Sequence, residues 1–294
     1  MNTVPGARIE SPMASLDQEK KAEALRALHF GEEPLLLVNV WDVASARMIE
    51  AAGFPAIATT SAGIAFAHGY PDGQKIPPEH MFAAVWQIAN GVKAPVTADV
   101  EAGYGTTPES AMLTASSVIN AGAVGMNFED AEDDPVHPLA DLSLQLERIR
   151  AIRETAARLN VPLVLNARTD VYLKQVGEPS KRYDEALRRL SAYRDAGADC
   201  VFISGLTNRD TISRFVADLR CPINILAVPG QASVAELNGL GVKRISLGSG
   251  PMRAGLGILS RIAEELKTSG TYSGLENAPS HLQINELMRS CESQ

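Results

Sequence analysis

The chain has 294 residues, 45% hydrophobic and 21% charged, ordinary for a globular protein and long enough to bury one large core. A single α/β barrel of about 250 residues would nearly use it up. Its 27 basic and 35 acidic residues leave a net charge of −8 with no basic run, which argues against nucleic acid as a partner.

Residues 1–15 read as a loose arm, and Leu16–Ala27 as a first helix. The opening stretch carries no apolar signal core and no later stretch reaches membrane-spanning length, so a cytoplasmic protein without membrane contact is expected. LLLVNV (35–40) is the first candidate strand. From there one phrase recurs: a helix, then Ala-Gly or a similar pair, then a short apolar run. It appears as EAAGFPAIATTS (50–61), INAGAVGMNFED (119–130), RDAGADCVFISG (194–205) and NGLGVKRISLGSG (238–250). Glycine suits the left-handed end of a helix, and the β-branched run that follows suits a strand buried on both faces. PVTADV (95–100), PLVLNART (162–169) and PINILAV (222–228) complete eight strands. DVASARMIEAA, TPESAMLTASSVINA, LSLQLERIRAIRETAARL, YDEALRRLSAYRDA and TISRFVADL supply helices between them.

Eight strands alternating with helices predict the α/β class and a closed (β/α)8 TIM-like barrel over residues 16–266. An open doubly wound sheet is the alternative, but no GxGxxG follows the first strand. Residues 267–294 form a linker and an extra C-terminal helix, SHLQINELMRSC, of the kind that packs on a neighbouring subunit. The three cysteines, Cys200, Cys221 and Cys291, match no metal spacing and are expected as reduced thiols.

Parallel strands bring their C-terminal ends to one mouth. Gathered there are Asn39, Trp41 and Asp42; Thr59, Thr60, Ser61 and Gly63; Asp99 and Glu101; Glu129 and Asp130; Asn166, Arg168 and Asp170; Ser204; Pro229; and the turn Gly248-Ser249-Gly250. Asp99 and Glu101 share a strand face just before the turn Gly103-Tyr104-Gly105, and acids at a buried strand exit are costly without a cation or hydrogen bonds. Carboxylates crowding one side of the mouth beside an arginine predict a Mg²⁺ cradle. Each member also has a plainer reading. Asp42 before VASARM reads as a helix N-cap, Arg168 as a partner for Asp170 or Glu129, and LGSG as a common glycine turn.

The ordered set NVWD, TTSAGIAFAHGYPDG, ADVEAGYG, NFED, NART and SLGSG resembles the isocitrate lyase/phosphoenolpyruvate mutase superfamily over most of residues 33–265. The resemblance implies a Mg²⁺-binding barrel (Mn²⁺ in its place) that handles a 2-oxo acid or its enolate. It also implies a homodimer or homotetramer built by exchanging the C-terminal helix. It makes Asp99 a direct metal ligand, with Asp72, Glu101 and Glu129 acting through water. Ser61, with the N–H groups of Ala62 and Gly63, would hold the substrate beside Trp41 and Asp42. Arg168 would clamp the oxygen on which charge develops. Lyases of this superfamily also carry a K(K/R)CGH loop, whose cysteine protonates the departing enolate. The corresponding EDAEDDPVHPLADL (129–142) has neither cysteine nor lysine. His137 is its candidate acid, although a solvated loop histidine is the plainer reading.

A Mg²⁺-dependent lyase or decarboxylase acting on a C–C bond of a small 2-oxo or 2-hydroxy acid is therefore expected. A mutase-like or phosphonopyruvate-handling enzyme is one alternative, and a non-catalytic carboxylate-binding barrel is another.

Overall fold

The computed structural model describes residues 16–289. The predicted N-terminal arm and Cys291 lie outside them. Nine strands, all parallel, form one sheet: β1 (Leu35–Leu37), β2 (Asn39–Val40), β3 (Ile57–Thr59), β4 (Val96–Asp99), β5 (Gly125–Glu129), β6 (Val164–Thr169), β7 (Cys200–Ile203), β8 (Ile223–Leu226) and β9 (Arg244–Ser246). The predicted strand 35–40 is split at Val38, because its halves pair with different neighbours. Leu35–Leu37 pair with β9 and Asn39–Val40 with β3, so one stave joins both edges and the barrel nearly closes. The eight predicted strands thus correspond to eight staves.

The helices are α1 (Leu16–Ala27), α2 (Val43–Ala51), α3 (Ser61–Ala67), α4 (Pro78–Gly91), α5 (Pro108–Asn120), α6 (Leu142–Arg158), α7 (Arg182–Asp195), α8 (Arg209–Leu219), α9 (Val234–Gly239), α10 (Gly250–Ser269) and α11 (His281–Arg289). Local chemistry starts them. Asp42 and Ser45 close a reciprocal capping box on α2, and Thr107 and Ser110 do the same on α5 with Pro108 in its first turn. The glycines of the repeated phrase, Gly53, Gly122, Gly197 and Gly241, have φ between 87° and 113°, the backbone that ends a helix and redirects the chain into a strand.

The outward sides of the staves bury aliphatic side chains such as Ile57, Val124, Leu165 and Ile245. Inside the barrel the lining is polar. Asn39, Asn127, Asn166, Asn224 and Arg244 are all buried. α1 and the short 3-10 turn Leu28–Phe30 plug the N-terminal end, with Leu25 against Gly125 and His29 beside Arg244. α11 lies against α2 of its own chain, with Arg47 donating to the Met288 carbonyl. No described helix is long and apolar enough to cross a membrane.

Candidate active site

Sheet register builds the mouth. Asp99 pairs with Asn127, Asn127 with Asn166, and Glu129 with Arg168 across adjacent strands, so their side chains meet as neighbours on the inner face. Asn127 is held from two sides: its Oδ1 accepts from Asn166 Nδ2 at 2.8 Å and from Arg244 Nη2 at 3.2 Å. Its amide nitrogen is thereby aimed at Asp99 Oδ1, 3.3 Å away. The other Asp99 oxygen accepts from the Ser61 hydroxyl at 2.8 Å and the Ser61 N–H at 3.1 Å, at the start of α3.

Glu101 follows β4 with φ of 53°, a left-handed conformation uncommon for a side-chain-bearing residue, and Tyr104 does the same at 55°. Four hydrogen bonds with Gln74 and Arg148 hold this turn. The Gln74 N–H donates to Glu101 Oε2 at 2.7 Å, and Gln74 Oε1 accepts from the Tyr104 N–H at 2.6 Å. From behind, the buried Arg148 lies over the Phe128 ring and donates to the carbonyls of Ala102 and Gly105. Gly103 is confined from the same side, since a Cβ there would sit 2.7 Å from Phe128.

Arg168 is the cation of the cluster. Its Nε and Nη2 fork onto Asp170 at 2.6 and 2.9 Å, and Nη1 stands 2.6 Å from Glu129 Oε2. Burial opposes its charge, but Glu129 and Asp170 more than offset this and hold it above the ordinary arginine range. The carboxylates feel the opposite strain. Burial, then Asp72 and Asp99, push Glu101 up to about 8. Burial and the Asp99 charge raise Asp72, and burial raises Glu129 despite Arg168.

These groups surround two small cavities of about 220 and 160 Å³. Ser61, Asp72, Arg168 and Leu173 line both, Glu101 and Glu129 the first, and Asp99, Asn127, Phe202 and Ser204 the second. The volumes suit a small acid rather than a nucleotide. A larger hollow of about 600 Å³ lies at the far end of the barrel among Leu28, Pro34, Leu35 and Phe54. It lacks this convergence of polar groups, so size alone does not locate the site.

The structure brings Asp72, Asp99, Glu101, Glu129, Arg168, Ser61 and Ala62 together, along with Ser204, Gly248 and Ser249. It does not bring Asp42 or His137 there. Asp42 spends its carboxylate on the Ser45 N–H at 2.7 Å, capping α2. His137 is 80% exposed and paired with Asp134 at 3.3 Å. Trp41 and Gly63 do not line either cavity, and the Gly63 N–H turns to Thr60 Oγ1 at 3.3 Å. Asp130 faces away from the mouth, buried among Thr169, Tyr193, Arg189 and the Asp170 N–H. Among the described residues, no three His, Cys, Asp or Glu side chains are drawn together as a ready cation cage. Burial raises the thiols of Cys200 and Cys221, to about 12 and 11, leaving both unreactive near neutrality.

A parallel β/α barrel with its acids and a clamped arginine at the strand C-termini has the architecture of an enzyme. Residues 25–267 match the sequence model of the phosphoenolpyruvate phosphomutase family. The chain belongs to that family, within the isocitrate lyase/phosphoenolpyruvate mutase superfamily, whose members are carbon–carbon lyases and mutases. It is similar to a candidate lyase/mutase of Burkholderia cenocepacia J2315, at 37% identity and TM-score 0.87 over 92% of this chain and 96% of that one. Oxaloacetate decarboxylase 2 of Pseudomonas fluorescens Pf0-1 is 26% identical over 88% of this chain and 86% of its own. A phosphonopyruvate hydrolase solved with oxalate and Mg²⁺ superposes with TM-score 0.79 at 25% identity, covering 91% and 94% of the two chains.

Proposed function

We propose that this lyase-type enzyme breaks a carbon–carbon bond of a small 2-oxo or 2-hydroxy carboxylic acid through an enolate, with decarboxylation of an oxaloacetate-like acid as the leading reaction. The observation that carries the reading is the set of buried acids around Arg168 with no reactive thiol among the described residues lining the mouth.

The donor set fits a hard divalent cation. Glu101 Oε1 is buried without a hydrogen-bond partner, and beyond the effect of burial the charge of Asp99 raises the proton affinity of Asp72, and Asp72 and Asp99 that of Glu101, as happens where anions await a counter-charge. Asp99 would hold Mg²⁺, or Mn²⁺, with Asp72, Glu101 and Glu129 acting through waters. Bound there, the ion supplies positive charge beside the oxygens of the substrate.

The protein's own groups do the rest. A guanidinium has five N–H donors, and the contacts to Asp170 and Glu129 leave some of them for the oxygen that gains charge as the bond breaks. Ser61 and the N–H of Ala62 orient the substrate carboxylate. The loop bridged between Ala131 and Leu139 forms one wall of the cavity and acts as a lid that excludes water. Loss of CO₂ leaves an enolate that water can protonate, so the reaction needs no thiol acid. The exposed Leu256, Ile258, Leu259 and Leu266 of α10 favour assembly into a homodimer or homotetramer.

A phosphonopyruvate-handling activity is the second reading, favoured by the family match itself. Assays of the purified protein with oxaloacetate, methylisocitrate and phosphonopyruvate, with and without EDTA, separate the readings. EDTA-sensitive pyruvate release from oxaloacetate is expected. Turnover of none of the three leaves a carboxylate-binding barrel without chemistry.

A further inference from the structure

Two cationic side chains line the paired cavities, Arg168 and Lys174. Their situations differ. Arg168 is engaged by two carboxylates, Glu129 and Asp170. Lys174 Nζ donates to a neutral group, the backbone carbonyl of Glu132 in the lid, at 2.8 Å. The nearby lid carboxylate, Asp133, is taken at 2.6 Å by Lys75.

Lys174 is also well placed. Its N–H donates to the Asp170 carbonyl at 2.8 Å, which fixes it one turn beyond the carboxylate that clamps Arg168. Leu173, beside it in sequence, lines both cavities. A substrate with its reacting end between Asp99 and Arg168 therefore extends along this wall towards the Lys174 ammonium. An ammonium carries three donors, and the one carbonyl contact is readily exchanged for an anionic partner. The wall is otherwise acidic, with Glu101, Glu129 and Asp170 facing the same space. A second negative charge on the substrate would be repelled there unless it met this lysine.

We propose that Lys174 binds the remote carboxylate of a dicarboxylate substrate and so selects diacids over simple 2-oxo monoacids. The assignment rests on the proposed reaction and names its substrate class.

Calorimetric titration of the full-length, Mg²⁺-loaded protein tests it. The probes are oxalate, which supplies only the reacting end, 3,3-difluorooxaloacetate, which adds a remote carboxylate, and phosphonopyruvate, which adds a remote phosphonate. Lys174→Met is expected to weaken difluorooxaloacetate by about tenfold or more while leaving oxalate within about twofold, and Lys174→Arg to restore most of the loss. Equal losses for oxalate and the diacid would mean that Lys174 merely secures the lid, and no loss for either would show an idle surface lysine. Both outcomes overturn the proposal. A larger loss for phosphonopyruvate than for the diacid overturns the carboxylate assignment. Failure of the unmutated protein to bind oxalate removes the underlying reaction, and this assignment with it.

Discussion

At the C-terminal end of the strands, Asp72, Asp99, Glu101 and Glu129 crowd around one arginine, and three side-chain-bearing residues, Gln74, Glu101 and Tyr104, sit in left-handed backbone. At the N-terminal end the charge is reversed. Arg244 is 1% exposed, and the groups that meet its guanidinium are neutral: Asn127 Oδ1 at 3.2 Å and His29 Nε2 at 3.4 Å. His29 gives its other ring nitrogen to the Leu25 carbonyl at 2.8 Å, so the proton resides on Nδ1 and Nε2 accepts. One end thus concentrates negative charge where it is exposed to ligands, and the other seals positive charge beneath it. The polar joint between them is the Asn127 amide, which accepts from Arg244 below and donates to Asp99 above. Charge that would be costly as an isolated burial becomes tolerable when the opposite sign lies a few residues away along the barrel axis.

If the mouth is given over to chemistry and its surroundings to stability, substitutions should separate the two. Asp99→Ala carries the largest expected effect, a loss of at least about 10³-fold in kcat with a melting temperature close to that of the parent. A comparable loss of stability would break the distinction. One strand position beyond Glu129, Asp130 should behave oppositely. Its Oδ2 accepts from Thr169 and Tyr193 at 2.7 Å, with Arg189 at 3.3 Å. Asp130→Ala leaves Arg189 buried without this partner and should cost about 3–5 kcal/mol in urea denaturation.

The two ends should also answer pH with opposite signs. Burial, then Arg244, lowers His29 from 6.5 to about 4. Between those values the unfolded chain binds the extra proton, so stability falls as pH is lowered, by roughly 3 kcal/mol in all. His29→Gln should flatten that slope. Glu101 is raised to about 8, so between the ordinary glutamate range and pH 8 the folded state holds the extra proton. In divalent-free buffer its contribution to stability is therefore lost as pH rises through that window, and Glu101→Gln should raise the melting temperature at pH 8. The same slope in Glu101→Gln as in the parent would show that the crowding at the mouth is not felt.

The barrel was legible in the chain because its repeated unit is local: a helix, a glycine that ends it and a β-branched strand within about a dozen residues. The acids were legible because strand ends converge by topology. What escaped the reading depends on contacts between distant segments. Arg148 looks like one more charge on the arginine-bearing helix LSLQLERIRAIRETAARL, yet it is buried against Phe128 and fixes the turn after β4. Gln74 and Lys174 sit in loops without a motif, and nothing in their spacing reveals that they meet Glu101 or the lid. Asp42 shows the converse. The resemblance drew it towards the pocket, but the local signal of a cap followed by Ser45 describes its contact.

The clasp of Gln74, Arg148 and the 101–105 turn makes the lid a detachable module. The acid geometry is held by the loop after α3, by α6 and by β4's own exit, whereas residues 131–139 reach the rim through three cationic side chains, Lys75, Lys174 and, 3.8 Å from Glu132 Oε1, Arg148. A different loop could be grafted between Asp130 and Asp141 while the carboxylates and Arg168 keep their places. Within such a scaffold, a change of proton donor or of leaving group can arise from one surface segment, so catalysts for different reactions can be built on a single floor plan.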